Sequence, residues 1–351
     1  MKTEWMIYGA NGYSATLALR KAAREGLKPI LSGRNKAAIE ALAAELGLRY
    51  RIFDLSDVDG VAQKLSDVKI VSHCAGPFSA TAEPMMKACI ESGTHYTDIT
   101  GELDVFQLSQ SLDQKARAAG VVLCPGVGFD VIPTDCVANK LKEALPDATQ
   151  LRLGFEGDNA LSPGTAKTMI EAVSAGMKVL RNGELVSVPP SFESCSIDFG
   201  NGMRNASVIP WGDLATAHWQ TGIPNISVYA ARRTNKVSDV LIPLVQRVME
   251  IGAVQRFARK KIEQKVKGPD EEARGGRSTY VWGEATDPSG KTATCRIRTP
   301  NGYTVTMDGI LLTARFFMDY EGKGGCFTPS QLMGSGLVEC LPDATKLELS
   351  S

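Results

Sequence analysis

A short apolar run, Trp5–Tyr8, stops at a glycine turn, Gly9-Ala10-Asn11-Gly12, and a helical pattern begins at once at Tyr13. Few chain segments are so restrictive, because a strand that turns on glycine directly into a helix is the opening of a βα unit. The unit then repeats. Strand-like runs at Leu27–Ser32, Leu48–Phe53, Val68–His73, His95–Ile99 and Val121–Cys124 alternate with helical spacing at Tyr13–Arg24, Lys36–Leu46, Val58–Leu65, Thr81–Ser92 and Leu103–Ala119. Uninterrupted alternation predicts an α/β fold with a doubly wound parallel sheet. After Cys124 the rhythm changes. Residues 125–136, PGVGFDVIPTDC, are dense in glycine and proline and mark a junction. Beyond it the reading is a helix at Pro133–Ala144, a strand at Thr149–Phe155 and a helix at Gly164–Leu180. Alternation is cleaner at Asn225–Ala230, Ser278–Thr286 and Thr292–Thr299, so the second part reads as α+β with a mixed or antiparallel sheet. Residues 237–262 read as a long amphipathic helix with a basic end, which could build a homodimer, cover the site or touch lipid.

The turn Gly9-Ala10-Asn11-Gly12-Tyr13-Ser14-Ala15 has G-x-x-G-x-x-A spacing, one residue longer than the G-x-G-x-x-G/A fingerprint. Gly9 permits the turn, Gly12 lets amides approach a pyrophosphate, and the helix start offers partial positive charge, so Gly9 to Ser14 are expected to hold a dinucleotide in a Rossmann domain. The second strand ends Ser32-Gly33-Arg34. An NAD site would place Asp or Glu here for the ribose 2′-hydroxyl; a guanidinium instead suits a 2′-phosphate, which predicts NADP(H) with Ser32, Gly33 and Arg34 as contacts. Asp54 either accepts from the adenine amino group or caps the next helix. The fourth strand runs into Cys74-Ala75-Gly76-Pro77, expected to lie against the cofactor through its backbone.

The chain resembles the saccharopine dehydrogenase-like oxidoreductases, and among them the branch containing trans-acting enoyl reductases. GANGYSA (9–15), SGR (32–34), CAGPF (74–78), YTDITGE (96–102) and GVGFDVIPTD (126–135) carry the likeness, joined by SPGTAKTMIE (162–171) and PWGDLATAHWQTGIPNISVY (210–229). The resemblance implies an N-terminal Rossmann domain (1–128), a second α+β domain for substrate or dimerisation (129–320) and a C-terminal segment (321–351) that returns to the first domain, with 327–342 as the returning helix. It implies NADPH-dependent reduction of a C=C (enoyl) or C=N bond in a small or lipid-like substrate. Two positions depart from it. Ser14 and Ala15 stand where Thr and Gly are common, and Val131 replaces the serine of FDSIP, which weakens transfer of a catalytic hydroxyl to that position.

Loops after the fourth to sixth strands carry Tyr96, Asp98, Glu102, Asp130, Thr134 and Asp135. Of these, Asp98, Tyr96 and Glu102 are the acid–base candidates. Each has a structural alternative: helix capping for Glu102, a core aromatic for Tyr96, and an even balance for Asp98. His218 reads as a packed histidine and Lys167 as a solvent-facing lysine. With no Tyr-x-x-x-Lys pair in the chain, a non-catalytic NADP-binding sensor or scaffold stands as the second reading.

Bulk properties narrow the partners. Lys plus Arg equal Asp plus Glu at 39 each, which gives no electrostatic argument for nucleic acid. No apolar run reaches the ~20 residues of a membrane span. The N-terminus does not read as a signal peptide, the eight cysteines form no C-x-x-C pair, and neither disulfides nor a metal site is expected. Free thiols and these absences make a cytoplasmic location the expectation.

Overall fold

The computed structural model describes residues 2–157, 176–189, 192–232, 268 and 276–350. They divide into two compact units, Met1–Ile132 with Tyr303–Leu332, and Pro133–Gly302 with Met333–Ser351.

The first unit holds a wholly parallel sheet. Its strands are β1 (Glu4–Tyr8), β2 (Ile30–Gly33), β3 (Tyr50–Ile52), β4 (Val68–His73), β5 (His95–Asp98) and β6 (Val122–Cys124). Their spatial order is β3-β2-β1-β4-β5-β6, and the two-residue strand Gly325–Cys326 extends the sheet beside β6. Helices α1 (Tyr13–Arg24), α2 (Lys36–Leu46), α3 (Val58–Lys64) and α4 (Phe78–Ser92) link the strands. The central strands carry fully buried apolar residues at successive positions, Met6 and Ile7 on β1 and Ile70 and Val71 on β4, as a sheet covered on both faces requires. The expected helix at Leu103–Ala119 is two pieces, α5 (Leu103–Ser111) and α6 (Asp113–Ala118), which meet at the buried Leu112. Local caps set other boundaries. Asn35 accepts from the Ala38 amide at 3.2 Å to start α2, and Gly47 closes that helix in the left-handed region at φ 65°.

Sequence reasoning missed the helix Gly302–Met318, most of which packs into the first unit. Its residues explain why: Thr304, Val305, Thr306, Gly309 and Thr313 are poor helix formers. Tertiary packing overrides that preference, for Val305, Ile310, Leu311, Ala314 and Phe317 are buried. The chain returning to the first unit is therefore 303–332. Residues 333–351 join the second unit, and the expected helix at 327–342 is a short helix, Pro329–Met333, followed by a 3₁₀ turn, Ser335–Cys340.

The second unit opens with α7 (Ile132–Ala144) and contains a mixed sheet. Strands β7 (Gln150–Gly157), β8 (Met177–Arg181), β9 (Glu184–Val188), β10 (Ser194–Asp198), β11 (Met203–Val208), β12 (Asn225–Ala231), β13 (Ser278–Thr286) and β14 (Thr292–Pro300) contribute, with Glu348–Ser350 at one edge. The main order is β10-β11-β12-β7-β13-β14; β8 pairs with β12, and β9 with β8. Among the described residues only β7 and β12 run parallel; the other pairs are antiparallel. The strands expected near 150, 225, 278 and 292 form.

The helix expected over Gly164–Leu180 does not extend to its end. Residues 164–175 lie outside the described residues, and 177–180 belong to β8. The reason is the Asn182-Gly183 turn, both residues at positive φ, which closes a two-residue hairpin with Arg181 opposite Glu184. The segments 162–171 and 237–262, with Lys167 among them, also lie outside the described residues.

Candidate functional site

The strand order of the first unit reverses between β1 and β4, and the loops leaving these two strands meet at the carboxyl edge of the sheet. An open α/β sheet holds ligands at this reversal. Gly9 and Ala10 both donate to the Ser32 carbonyl, at 2.8 and 3.0 Å, and Gly12 donates to Gly9 at 2.9 Å, so the turn is a rigid backbone device. Gly9 sits at φ 80°. A Cβ there would lie 2.7 Å from the Ala75 amide, so only glycine lets the turn close against the β4 loop. Gly12 is the N-cap of α1, and no side chain caps that helix. The first-turn amides of α1 therefore end at the loop crossing with no capping side chain, which suits a pyrophosphate. The hydroxyl of Thr16 donates to the Ala10 carbonyl at 3.2 Å and ties the turn to the helix, while the ring of Tyr13 packs edge-on against Tyr303, centroids 5.1 Å apart.

The end of β2 divides its expected contacts. Arg34 is exposed and makes no hydrogen bond or ion pair among the described residues, and its charge helps hold the Asp54 carboxyl below the usual range. Ser32 is fully buried, and its hydroxyl donates to the Arg51 carbonyl on β3 at 2.8 Å. The Ser32 carbonyl, not its hydroxyl, thus shapes the turn. Asp54 is exposed; it accepts from the Ser56 amide at 2.9 Å and from the Ser56 hydroxyl. Those two bonds are the main reason its carboxyl is held low. The cap of α3 is Asp57, not Asp54, through the Gly60 amide at 3.1 Å.

Beyond β4, the Cys74 amide donates to the Tyr8 carbonyl at 2.8 Å. Thr81 holds the rest of the loop by donating to the Ala75 carbonyl at 2.7 Å, and a cis peptide joins Gly76 to Pro77. Burial pushes the Cys74 thiol far up, so it stays protonated and unreactive. His73 is fully buried, and desolvation lowers it to about 3. Its Nε2 meets the Thr81 hydroxyl at 3.0 Å and its Nδ1 has no partner among the described residues, which makes it a neutral core imidazole.

The carboxylates beyond β5 have different surroundings. Asp98 is fully buried. Its Oδ2 accepts from the Tyr96 hydroxyl at 2.6 Å, and its Oδ1 from the amides of Thr100 at 3.0 Å and Gly126 at 2.8 Å. Its carbonyl also accepts from Val127 at 2.7 Å. Burial raises the carboxyl to about 6 even though these hydrogen bonds pull it down. Tyr96 is equally buried, with its hydroxyl pushed well up by desolvation and by Asp98. Asp98 thus staples the loop after β5 to the loop after β6. Glu102 reaches across to α4 and accepts from the Phe78 amide at 2.9 Å and the Ser79 amide at 2.6 Å. It caps a neighbouring helix rather than its own.

Asp130 belongs to the loop acids named from the sequence but not to the three acid–base candidates. It lies partly exposed, packed over Gly101, where a Cβ would come within 2.6 Å of its Oδ2. Desolvation lifts its carboxyl to about 7. Thr306, on the helix that sequence reasoning missed, accepts from the Phe129 amide at 3.1 Å and packs against Gly128, fixing the loop that carries Asp130. Thr134 and Asp135 are buried at the start of α7. In the second unit, His218 is a packed side chain whose Nδ1 meets the Ile223 carbonyl at 2.8 Å.

The turn, the uncapped helix and the strand order together describe a dinucleotide crevice, and residues 5–124 match the saccharopine dehydrogenase NADP binding domain family. Over that span the first unit is similar to a saccharopine dehydrogenase-type NADP-binding domain. The expected resemblance is borne out among curated proteins as well. The human saccharopine dehydrogenase-like oxidoreductase is 28% identical over 207 residues, covering 50% of this chain and 48% of that one. A Mycobacterium tuberculosis protein named as a putative trans-acting enoyl reductase is 27% identical over 185 residues, 48% of this chain and 44% of that protein. The chain thus spans about half the length of the curated relatives it matches. Among solved structures, apo saccharopine dehydrogenase (L-Glu forming) from Saccharomyces cerevisiae superposes with a TM-score of 0.69 at 12% identity, covering 99% of this chain and 100% of that one. That likeness is one of fold, and it accords with a Rossmann-like sheet followed by a second, mixed-sheet domain. No helix among the described residues is long and apolar enough to cross a membrane.

Proposed function

We propose that the chain is an NADP(H)-dependent oxidoreductase of the saccharopine dehydrogenase-like type, reducing a C=C (enoyl) or C=N bond of a small or lipid-like substrate. The observation that carries the nucleotide reading is the Gly9–Gly12 turn, closed against Ala75 and opening an uncapped helix, with the exposed Arg34 at the end of the next strand. In this reading the first-turn amides of α1 hold the pyrophosphate. Arg34 takes the 2′-phosphate in a planar fork. The backbone of Ala75, Gly76 and Pro77 forms the wall beside the cofactor, which supplies a hydride when bound.

The proton is assigned to Asp130. Reduction adds a hydride to one atom of the double bond and a proton to the other, and a carboxyl lifted to about 7 holds a proton near neutral pH and can release it. Asp98, Tyr96 and Glu102 act as positioning residues in this scheme, since their polar atoms hold the loops and the start of α4. Titration of the purified chain with NADPH and NADH, followed by nucleotide fluorescence, tests the cofactor assignment: tighter binding of NADPH is expected, and equal binding removes it.

The second reading is a non-catalytic NADP(H) sensor or scaffold. It draws on the commitment of Asp98, Tyr96 and Glu102 to internal hydrogen bonds. NADPH oxidation with enoyl thioesters and cyclic imines as substrates separates the two. Turnover with either substrate eliminates the passive binder, and a chain that binds NADPH tightly yet oxidises it with neither supports it.

A further inference from the structure

The central strands of the second unit carry a polar stripe where an apolar one would be ordinary. Along the parallel pair β7 and β12, Leu151 faces Ile226 and Leu153 faces Val228 in register, and all four are buried. The alternate positions pair Gln150 with Asn225 and Arg152 with Ser227, and the next step brings in Tyr229. Side chains two apart on a strand share a face, so these polar groups form one surface across the middle of the sheet. Ser227 is 3% exposed. Polar groups are retained in such a place at a cost in desolvation.

That surface floors a cavity of about 330 Å³, the lower end of the range for small-molecule sites. Its residues all belong to the second unit, so it shares no residue with the dinucleotide crevice. Two guanidinium groups border it. Arg181, at the end of β8, donates to the Leu180 carbonyl at 2.9 Å and to the Ser227 hydroxyl at 3.2 Å, and has no acidic partner among the described residues. Arg152 lies over the rings of Tyr229 and Trp282, 5.1 and 5.6 Å from their centroids, and is held by Glu284 at 3.3 Å. Its remaining acidic neighbour in the cavity, Glu193, is at 3.8 Å, a separation beyond a hydrogen bond. The Arg152 Nε is buried without a partner among the described residues. At the rim Asn225 is engaged on both sides, by the Thr149 carbonyl and the Asn182 amide, whereas the Gln150 side chain makes no hydrogen bond to a described residue. The cavity lining carries two guanidinium groups and one carboxylate, with a second carboxylate, Glu284, pairing Arg152 from beside it, so Arg181 is the cation left without an acidic partner among the described residues.

We infer that this cavity binds a small anion through a carboxylate or phosphate group, held by Arg181 and Arg152, with Glu193, which accepts from the Tyr229 hydroxyl, as the internal counter-charge that competes with the anion for Arg152. Guanidinium forks match both groups in geometry, and ring faces with Glu284 keep Arg152 in place for one. The inference needs nothing from the nucleotide reading, since it rests on the second unit alone.

The test is calorimetric titration of the full chain with inorganic phosphate and, separately, succinate, each with and without saturating NADPH. Saturable binding of at least one probe is expected in both conditions, and which probe wins distinguishes the phosphate source from the carboxylate source. Arg181→Gln should weaken that binding at least tenfold, and Glu193→Gln should strengthen it at least threefold, with NADPH affinity unchanged in both. Crystals soaked in selenate should show anomalous selenium signal between Arg152 and Arg181. Absence of saturable binding to the wild-type chain overturns the inference, as does selenium signal only elsewhere. Should Arg181→Gln fail to fold, Glu193→Gln still decides: unchanged or weaker binding counts against the site. Loss of NADPH binding with anion binding intact would remove the nucleotide reading and leave this one standing.

Discussion

Asp98 ends β5 and Asp130 stands in the loop beyond β6, and their surroundings differ. Three donors fill the oxygens of Asp98, and Asp130 lies partly exposed, packed over Gly101. Asp98→Ala leaves the Tyr96 hydroxyl and the amides of Thr100 and Gly126 without their acceptor. Each buried orphan costs about 1–3 kcal/mol. The expected result is a loss of about 3 kcal/mol or more in urea unfolding, and unchanged stability would remove the stapling role. Asp130→Asn should leave the melt at pH 5 near wild type while lowering turnover about tenfold or more and abolishing the pH dependence near 7 in the rate of NADPH oxidation. An unaltered pH profile would take the proton away from Asp130. At the nucleotide's other end, Arg34→Ala should cut the preference for NADPH over NADH at least tenfold with little change in NADH affinity, because only the 2′-phosphate differs. Comparison of the two dissociation constants settles it.

At the scale of elements, α4 depends on a residue outside itself. Its first-turn amides at Phe78 and Ser79 are satisfied by Glu102 from the next βα loop. Removing a capping acceptor costs about 0.5–2 kcal/mol, and a carboxylate at a helix N-terminus adds favourable interaction with the dipole. Glu102→Ala is therefore expected to lower stability by about 1–2 kcal/mol, with faster amide exchange at the start of α4. Exchange that speeds up uniformly across the unit would point to a different role. Elements also differ in how far the sequence pattern reveals them. The β1–turn–α1 boundary is legible because glycine spacing and apolar runs act over a few residues. The break at Leu112 and the helix Gly302–Met318 are not legible. The first lies within one continuous helical pattern, and the second is built from β-branched residues and glycine held helical by burial. The β8–β9 hairpin has a signal in Asn182-Gly183, which the helical pattern over residues 164–180 obscures.

For the whole molecule, two carboxyls raised by desolvation set a direction for stability against pH. Asp98 rises to about 6 and Asp130 to about 7 on folding, above ~3.9 for an unfolded aspartate. The folded chain therefore binds these protons more tightly than the unfolded chain. Their contribution is fully present below ~3.9 and is lost as pH rises through about 6 and then about 7. Urea midpoints measured at pH 5 and pH 8 should show this portion as greater resistance at pH 5, and Asp130→Asn should reduce the difference. A difference that Asp130→Asn leaves untouched would exclude Asp130 as its source.

The order of residues by itself determined the parallel sheet of the first unit, the α+β character of the second with its sheet left as mixed or antiparallel, and the family likeness, because those features are written in short-range periodicity and in a turn of a few residues. It did not determine which partners each carboxyl meets. Asp98 is committed by an amide 28 residues away, Glu102 by amides 23 and 24 residues away, and the loop bearing Asp130 by Thr306, 177 residues from Phe129. Only the folded chain brings such partners together, and desolvation and hydrogen bonding at those meetings decide what each acid can do.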